Sequence, residues 1–215
     1  GFLVANRGQI LHESYHNGMT RTTPHLAMSV SKSITSTTAG ILIAQGKIDP
    51  DALLTDYLPE LAATGWNGAT VQQVLDMTTA LDFSEEYTDP GSGIGAMSNA
   101  LGLTPTAPGY DGPRDVYAFL PSIAKNGEHG KAFTYRTCNT EVLAWIVART
   151  EGKRFDAVLS ERIWQPLGME QDADFLIDTT GMPFAGGGLN PVLRDMARFG
   201  EAMRCGVHGN GGQAI

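Results

Sequence analysis

The sequence predicts an α/β fold: an opening β hairpin, a succession of helices joined by loops, and a glycine-rich return strand that leads into a further helix. Three observations carry this expectation. Phe2 to Ala5 and Ile10 to Tyr15 are β-prone runs on either side of Asn6-Arg7-Gly8-Gln9, whose Asn and Gly suit a chain reversal. From Ser31 onward the pattern changes, with Ile34, Thr38, Ile41 and Leu42 recurring at helical spacing until Gly46 supplies a stop. Near the other end, Gly186-Gly187-Gly188-Leu189 precedes Asn190-Pro191, a helix start with proline at the first position, and Val192, Met196 and Phe199 supply that helix with an apolar face.

The elements between follow in order. Leu53, Leu54, Tyr57, Leu58 and Leu61 mark a short apolar face, and a third helix follows Thr70, a suitable N-cap, presenting Val71, Val74 and Leu75. Residues 80 to 114 show no sustained period and are rich in Gly and Pro. A loop of that size is uncommon in a compact protein, so it is a candidate wall or lid for a pocket, or it contains one short helix. Asp115 to Ile123 reads as helical. After Phe133-Thr134-Tyr135 another helix is expected from about Thr140 to Thr150, with Val142, Leu143, Ile146 and Val147 inward and Gly152 as its end, and Phe155 to Trp164 makes one more. No internal repeat or low-complexity tract is visible.

Composition narrows the partners. Across 215 residues, 42% are hydrophobic and 18% charged, the balance of a chain that buries a core. Fifteen basic against 23 acidic residues give a formal net charge of -8, with no Lys/Arg cluster. That argues against nucleic acid, whose binding draws on clustered cations. The longest apolar runs, such as Ile41 to Ala44, fall far below the roughly 20 residues of a membrane span. The first residues lack the basic stretch and apolar core of a signal peptide, which favours the cytoplasm, although a mature secreted protein would lack them too. Two cysteines, Cys138 and Cys205, define no disulfide framework.

The chemistry concentrates at Ser29-Val30-Ser31-Lys32. In the first turn of a helix, residues three apart share a face, so the Ser29 hydroxyl and the Lys32 amine can meet in one pocket. An alcohol is a poor nucleophile until a base takes its proton, and a lysine acts as that base only where its surroundings favour the neutral amine. Free N–H groups at the helix start suit the negative oxygen of a tetrahedral intermediate. The bland alternative is a polar helix start with Lys32 in solvent. Ser31, Ser33, Thr35 and Ser36 crowd the same segment, but none pairs with a lysine at this spacing.

Met28-Ser29-Val30-Ser31-Lys32-Ser33-Ile34-Thr35 resembles the nucleophile motif of the serine beta-lactamase and penicillin-binding-protein superfamily, whose signature is Ser-x-x-Lys. A second segment, Phe133 to Glu141, resembles the stretch that carries the superfamily's catalytic tyrosine. By that likeness Tyr135 stands beside Ser29 and Lys32, shuttling a proton to the leaving group or helping to deprotonate the serine. Gly186-Gly187-Gly188-Leu189 with Asp195, Ala197, Arg198 and Phe199 is similar to the glycine strand and following helix of esterase and amidase relatives. The closest branch by these segments is the 6-aminohexanoate-dimer hydrolase group, which cuts a linear nylon-oligomer amide and often short-chain esters. In that group the loop corresponding to Leu81 to Pro90 brings a tyrosine to the substrate amide, a role that falls here to Tyr87.

The resemblance covers essentially the whole chain and implies a beta-lactamase-like architecture: an antiparallel sheet flanked by helices, with an inserted, mainly helical region. Its parts would be residues 1–48 (hairpin and nucleophile helix), 49–180 (helical region with pocket loops) and 181–215 (return to the α/β portion). Catalytic roles are implied for Ser29, Lys32 and Tyr135, substrate contacts for Tyr87, Thr137 and Gly187, and no cofactor or metal. The substrate would be a small-molecule amide or ester. Two departures stand out. Thr137 occupies the position where many relatives carry Asn or Ser, which keeps a hydroxyl but argues against a penicillin site. The family's third motif, Lys-Thr-Gly or a variant with His or Gly, has no match in the right context after Leu189, and His208-Gly209-Asn210 reads better as a loop after the Pro191 helix. The expectation is therefore that the C-terminal strands and last helix are absent from this chain and that a second chain or further segment completes the catalytic unit. The first residue already lies inside a strand signal, which suggests removal of something upstream. A homo-oligomer is compatible with all of these features.

The remaining candidates carry less. Tyr135 has a bland alternative as a core aromatic, and Tyr87 as loop packing. His12, His16, His25, His129 and His208 never reach metal-ligand spacing. Asp82, Glu85, Glu86 and Asp89 lack the alternation of a calcium loop and read as a solvated acidic stretch. The triple glycine lacks the spacing of a dinucleotide fingerprint. The expected activity is hydrolysis of a linear amide or ester through a Ser29 acyl-enzyme. Alternatives are a short-chain carboxylesterase, a penicillin-recognising lactamase or transpeptidase and, from another class, an inactive ligand-binding domain on the same scaffold.

Overall fold

Strand β1 (Phe2–Asn6) pairs antiparallel with β2 (Gln9–Ser14), and the turn between them uses Arg7 and Gly8 in the left-handed region, at φ 51° and 76°. Two consecutive positive φ values give the tight reversal whose twist matches the flanking strands. The computed structural model describes residues 1–106 and 108–206; the His208-Gly209-Asn210 segment lies outside them.

Helix α1 (Val30–Ala44) begins directly after Ser29 and stops at Gln45, with Gly46 at φ 69°. It is followed by α2 (Leu54–Tyr57), a 3₁₀ turn at Pro59–Leu61, and α3 (Val71–Leu75). Thr70 caps α3 as expected: its hydroxyl accepts the Gln73 N–H while the Gln73 side chain accepts the Thr70 N–H, a capping box.

The long loop holds α4 (Gly93–Ala100), capped by the Ser92 hydroxyl. Its periodicity is hidden by Gly93 and Gly95, which are there because Cβ atoms at those positions would lie 2.8 Å from the Phe83 ring and 2.5 Å from the Pro90 carbonyl. The predicted helix over Asp115 to Ile123 is split into α5 (Val116–Phe119) and a 3₁₀ turn at Leu120–Ser122, because Pro121 has no N–H to continue the α-helical ladder.

Helix α6 (Thr137–Glu151) is the centre of the packing. It lies against α1, α2, α3 and α7 (Phe155–Leu159), and every residue from Thr137 to Val147 is buried. It is therefore enclosed on all sides over three turns rather than along the single stripe the sequence suggests. It also starts about a turn before the expected Thr140. Gly152 ends it in the left-handed conformation, at φ 63°. After α7 the chain continues as a π-helical turn, Ser160–Trp164, so the one predicted helix is two pieces.

Short strands β3 (Asp174–Phe175) and β4 (Leu189–Asn190) pair antiparallel. Helix α8 (Leu193–Cys205) begins two residues later than Pro191. The reason is that the Pro191 and Leu189 carbonyls accept the N–H groups of His25 and Ala27, at 3.0 and 2.8 Å, which keeps this stretch extended. The first turn of α8 is held by buried Asp195, whose carboxylate accepts the Glu170 and Gln171 N–H groups at 2.7 and 3.1 Å. The result, among the described residues, is an α/β fold in which two small antiparallel sheets are flanked by helices. Among the described residues no helix is long and apolar enough to cross a membrane.

Candidate active site

The approach to α1 is fixed before the helix begins. With His25 and Ala27 bonded to the extended 189–191 stretch, Met28 turns the chain at φ 48°, a left-handed conformation that costs an L-residue on the order of 1 kcal/mol. Ser29 follows as the N-cap residue. Its own carbonyl and those of Ala27 and Met28 accept the Lys32, Val30 and Ser31 N–H groups, at 3.1, 3.1 and 3.0 Å. These turn bonds consume the next three amides, and among the described residues the Ser29 N–H has no partner.

Lys32 is buried, 8% exposed, and its Nζ has two polar neighbours: Ser29 Oγ at 3.1 Å and the Gly186 carbonyl at 2.6 Å. The nitrogen also lies 5.0 Å from the centre of the Tyr135 ring. Ser29, Lys32 and Tyr135 thus face one cavity of about 220 Å³, walled further by Val74, Leu143 and Asn139. Tyr135 is held at the rim, 37% exposed, because the preceding Thr134 N–H donates to the carbonyl of Met77, itself in the left-handed region at φ 54°.

The other serine and threonine side chains on this face of α1 have a different task. The Ser31 hydroxyl accepts the Leu189 N–H at 3.2 Å, and the Thr35 hydroxyl donates to the Ala185 carbonyl at 3.0 Å. They fasten the glycine segment to α1. Gly186 presents its carbonyl to Lys32 because nothing projects from its Cα: a Cβ there would lie 2.6 Å from Thr137 Cγ2. Gly187, singled out in the sequence, is not part of the cavity wall; its N–H reaches the Phe184 carbonyl at 3.4 Å, and a Cβ would meet the Phe184 ring at 2.7 Å.

Tyr87 and Thr137 likewise do not line the cavity, but they are joined to each other by Glu85. The Glu85 carboxylate accepts the Thr137 N–H and, at 3.2 Å, the Thr137 hydroxyl, and it also accepts the Tyr87 hydroxyl. It therefore caps α6 from a loop 52 residues away, and this accounts for the early start of that helix. Tyr87 is 69% exposed, with its hydroxyl bonded to Glu85. Partial burial there, followed by the bond to Glu85, pushes the phenol up to about 12. Sequence reasoning missed Glu85, which looks like any residue of a solvated acidic loop, and Gly186, indistinguishable from its two glycine neighbours. Among the described residues no group of three or more His, Cys, Asp or Glu side chains is placed to hold a metal ion.

The family described as Beta-lactamase matches residues 1–215. The chain belongs to the Beta-lactamase family. It is 40% identical over 214 residues to the 6-aminohexanoate-dimer hydrolase of Paenarthrobacter ureafaciens, an alignment covering 100% of this chain and 54% of that protein. Among solved structures, a Bacillus anthracis protein provisionally described as a 6-aminohexanoate-dimer hydrolase superposes with a TM-score of 0.92 at 33% identity, over 99% of this chain and 55% of that one. A Bacteroides dorei protein provisionally described as a beta-lactamase gives a TM-score of 0.76 at 21% identity, over 99% and 60%, a likeness of fold. The chain of this Beta-lactamase family member spans about half the length of the first two relatives.

Proposed function

We propose that the protein is a serine hydrolase that cleaves a linear amide or short-chain ester through a covalent acyl-enzyme on Ser29. The observation that carries this is the 3.1 Å contact between Ser29 Oγ and Lys32 Nζ inside a cavity that also presents Tyr135. That distance lies within hydrogen-bond reach for direct proton transfer. The similarity to the 6-aminohexanoate-dimer hydrolase of P. ureafaciens supports the choice of a linear amide among acyl donors.

In the proposed reaction, Ser29 Oγ forms a bond to the substrate carbonyl carbon as its proton passes to the unprotonated Lys32 amine. The carbonyl π electrons move to oxygen, and the Ser29 N–H, left without a partner by the turn that follows it, donates to that oxyanion. Collapse of the tetrahedral intermediate breaks the bond to the amine or alcohol leaving group, which takes a proton by way of Lys32 and the Tyr135 phenol. Water then attacks the ester carbonyl by the same route in reverse, releasing the acid and restoring the serine. Tyr87 belongs in this scheme as a substrate contact at the edge of the site, tied by Glu85 to the buried Thr137 at the start of α6.

Parallel assays with a linear aminohexanoate dimer, p-nitrophenyl butyrate and a chromogenic cephalosporin test the assignment. Turnover of the dimer and the ester without the cephalosporin is expected. Turnover of the cephalosporin alone would move the protein to the penicillin-recognising branch, and turnover of none, with Ser29 unreactive, would favour an inactive binding domain.

A further inference from the structure

Glu141 is the most deeply buried acid near the cavity, 1% exposed, and the proposed reaction makes no use of it. It sits one turn into α6 and faces the glycine segment. Its Oε1 accepts the Gly186 N–H at 2.6 Å and its Oε2 accepts the Ala185 N–H at 3.2 Å. The same two residues are gripped from the opposite side by α1: the Ala185 carbonyl accepts the Thr35 hydroxyl at 3.0 Å, and the Gly186 carbonyl accepts Lys32 Nζ at 2.6 Å. A carboxylate on one helix and a lysine on another therefore meet through one glycine.

The chemistry of that arrangement is specific. Both oxygens of a carboxyl group keep acceptor capacity with or without its proton, which suits two N–H groups side by side; the amide nitrogen of a glutamine has no lone pair to offer and would turn a donor against one of them. Gly186 has no side chain to limit its φ and ψ, so its carbonyl direction is set by its bonds alone. That direction matters, because a neutral amine that donates one N–H to a fixed carbonyl has its lone pair aimed by the contact. Burial pushes the Glu141 carboxyl up to about 8, against the pull of its two backbone bonds and of Lys32. Tyr117, Asp178 and Cys138 are the other titratable groups within its field.

We propose, resting on the Ser29 acyl-enzyme reading, that Glu141 is a positioning residue for Lys32: by clamping the Ala185 and Gly186 N–H groups it fixes the carbonyl that aims the Lys32 amine at Ser29. Glu141 touches neither substrate nor reacting atoms, and its effect on the reaction passes entirely through Gly186.

The test measures the rate of Ser29 modification by a fluorophosphonate between pH 6 and 9 in wild type, Glu141→Gln and Glu141→Ala, with thermal unfolding of each. In folded Glu141→Gln the rate is expected to fall about ten-fold or more, and the pH of half-maximal labelling to move, because the variant loses both the grip on the Ala185 and Gly186 N–H groups and the charge that Glu141 acquires as pH rises through about 8. An unchanged rate and midpoint in the folded variant would overturn the proposal, as would a loss of rate with the midpoint unmoved that merely follows loss of thermal stability. Should neither variant fold, Glu141→Asp decides: its carboxyl is one methylene short of the Ala185 and Gly186 N–H groups, so slowed labelling of the folded protein is expected, and labelling at the wild-type rate would overturn the proposal. Wild type that is not labelled at all would retire the acyl-enzyme reading, whereas labelled wild type with an indifferent Glu141→Gln would retire only this one.

Discussion

Lys32 Nζ lies 3.1 Å from Ser29 Oγ and is held there by the Gly186 carbonyl rather than by an acidic side chain. A carboxylate at that position would pair with a protonated lysine and hold it as a cation; a carbonyl accepts an N–H from either form. Lys32→Ala is therefore expected to slow Ser29 labelling by about 10² or more. Equal labelling rates in the two proteins, measured with a fluorophosphonate at pH 8, would count against Lys32 as the proton acceptor.

Tyr135 stands at the cavity rim, so its hydroxyl can be removed with little effect on packing. Tyr135→Phe is expected to lower turnover of an amide by about 10² while leaving the thermal midpoint nearly unchanged. An amide's amine leaves only once protonated, so a p-nitrophenyl ester should be affected less. Equal losses on the two substrates would assign Tyr135 a role other than leaving-group protonation.

Glu85 joins the start of α6 to Tyr87, and Glu85→Ala removes both attachments at once. Losing the cap should cost about 1 kcal/mol of stability, read as a lower urea midpoint. The Tyr87 phenol should also fall from about 12 back toward the ordinary tyrosine range, visible as a shifted phenolate absorbance titration. A Tyr87 titration that does not move would show that the bond to Glu85 contributes little to its state.

Two glycines give opposite expectations for the same substitution. Gly186→Ala places a methyl group 2.6 Å from Thr137 Cγ2 and 2.8 Å from Glu141 Oε1, so it should destabilise by about 1–3 kcal/mol and slow labelling through Lys32. Gly200, in the middle of α8, has open space for at least 4 Å around the point where a Cβ would stand, and should gain about 0.5–1 kcal/mol on the change to Ala. Matched thermal unfolding of the two variants reads both signs.

The pH dependence of stability carries the signature of Glu141. Its carboxyl titrates near the ordinary 4.5 when unfolded and is pushed up to about 8 by burial in the fold. Between those values the unfolded chain has lost the proton and the folded chain still holds it, so stability falls as pH rises through that window and levels off above it. The paired carboxylates Glu13 and Glu170 act in the other direction: Arg194 bonds to the first and Arg198 and Arg21 to the second, and both are lowered to about 2. Their contribution is present above about 4.5 and lost as pH falls toward 2, outside the Glu141 window. Urea midpoints at pH 5 and pH 8 should therefore differ more in wild type than in Glu141→Gln, and equal differences would place the Glu141 proton elsewhere.

What was legible in the sequence is what local chemistry decides. The Arg7-Gly8 reversal, the Thr70 cap and the Gly152 stop each depend on neighbours a few residues away, and each formed where the pattern put it. The Ser29 and Lys32 pairing belongs to the same kind, since one helical turn brings them together. The start of α6 was illegible because its cap is Glu85, and the true start of α8 because Pro191 is committed to His25. Gly186 and Glu141 acquire meaning only when α6, α1 and the glycine segment meet, which no periodicity encodes.

The most direct test of the central claim is the mass and position of a fluorophosphonate adduct on the protein at pH 8. A single adduct on the peptide carrying Ser29, absent in Ser29→Ala and slow to form in Lys32→Ala, is the predicted result. An adduct on another residue, or undiminished labelling after Ser29→Ala, would contradict it.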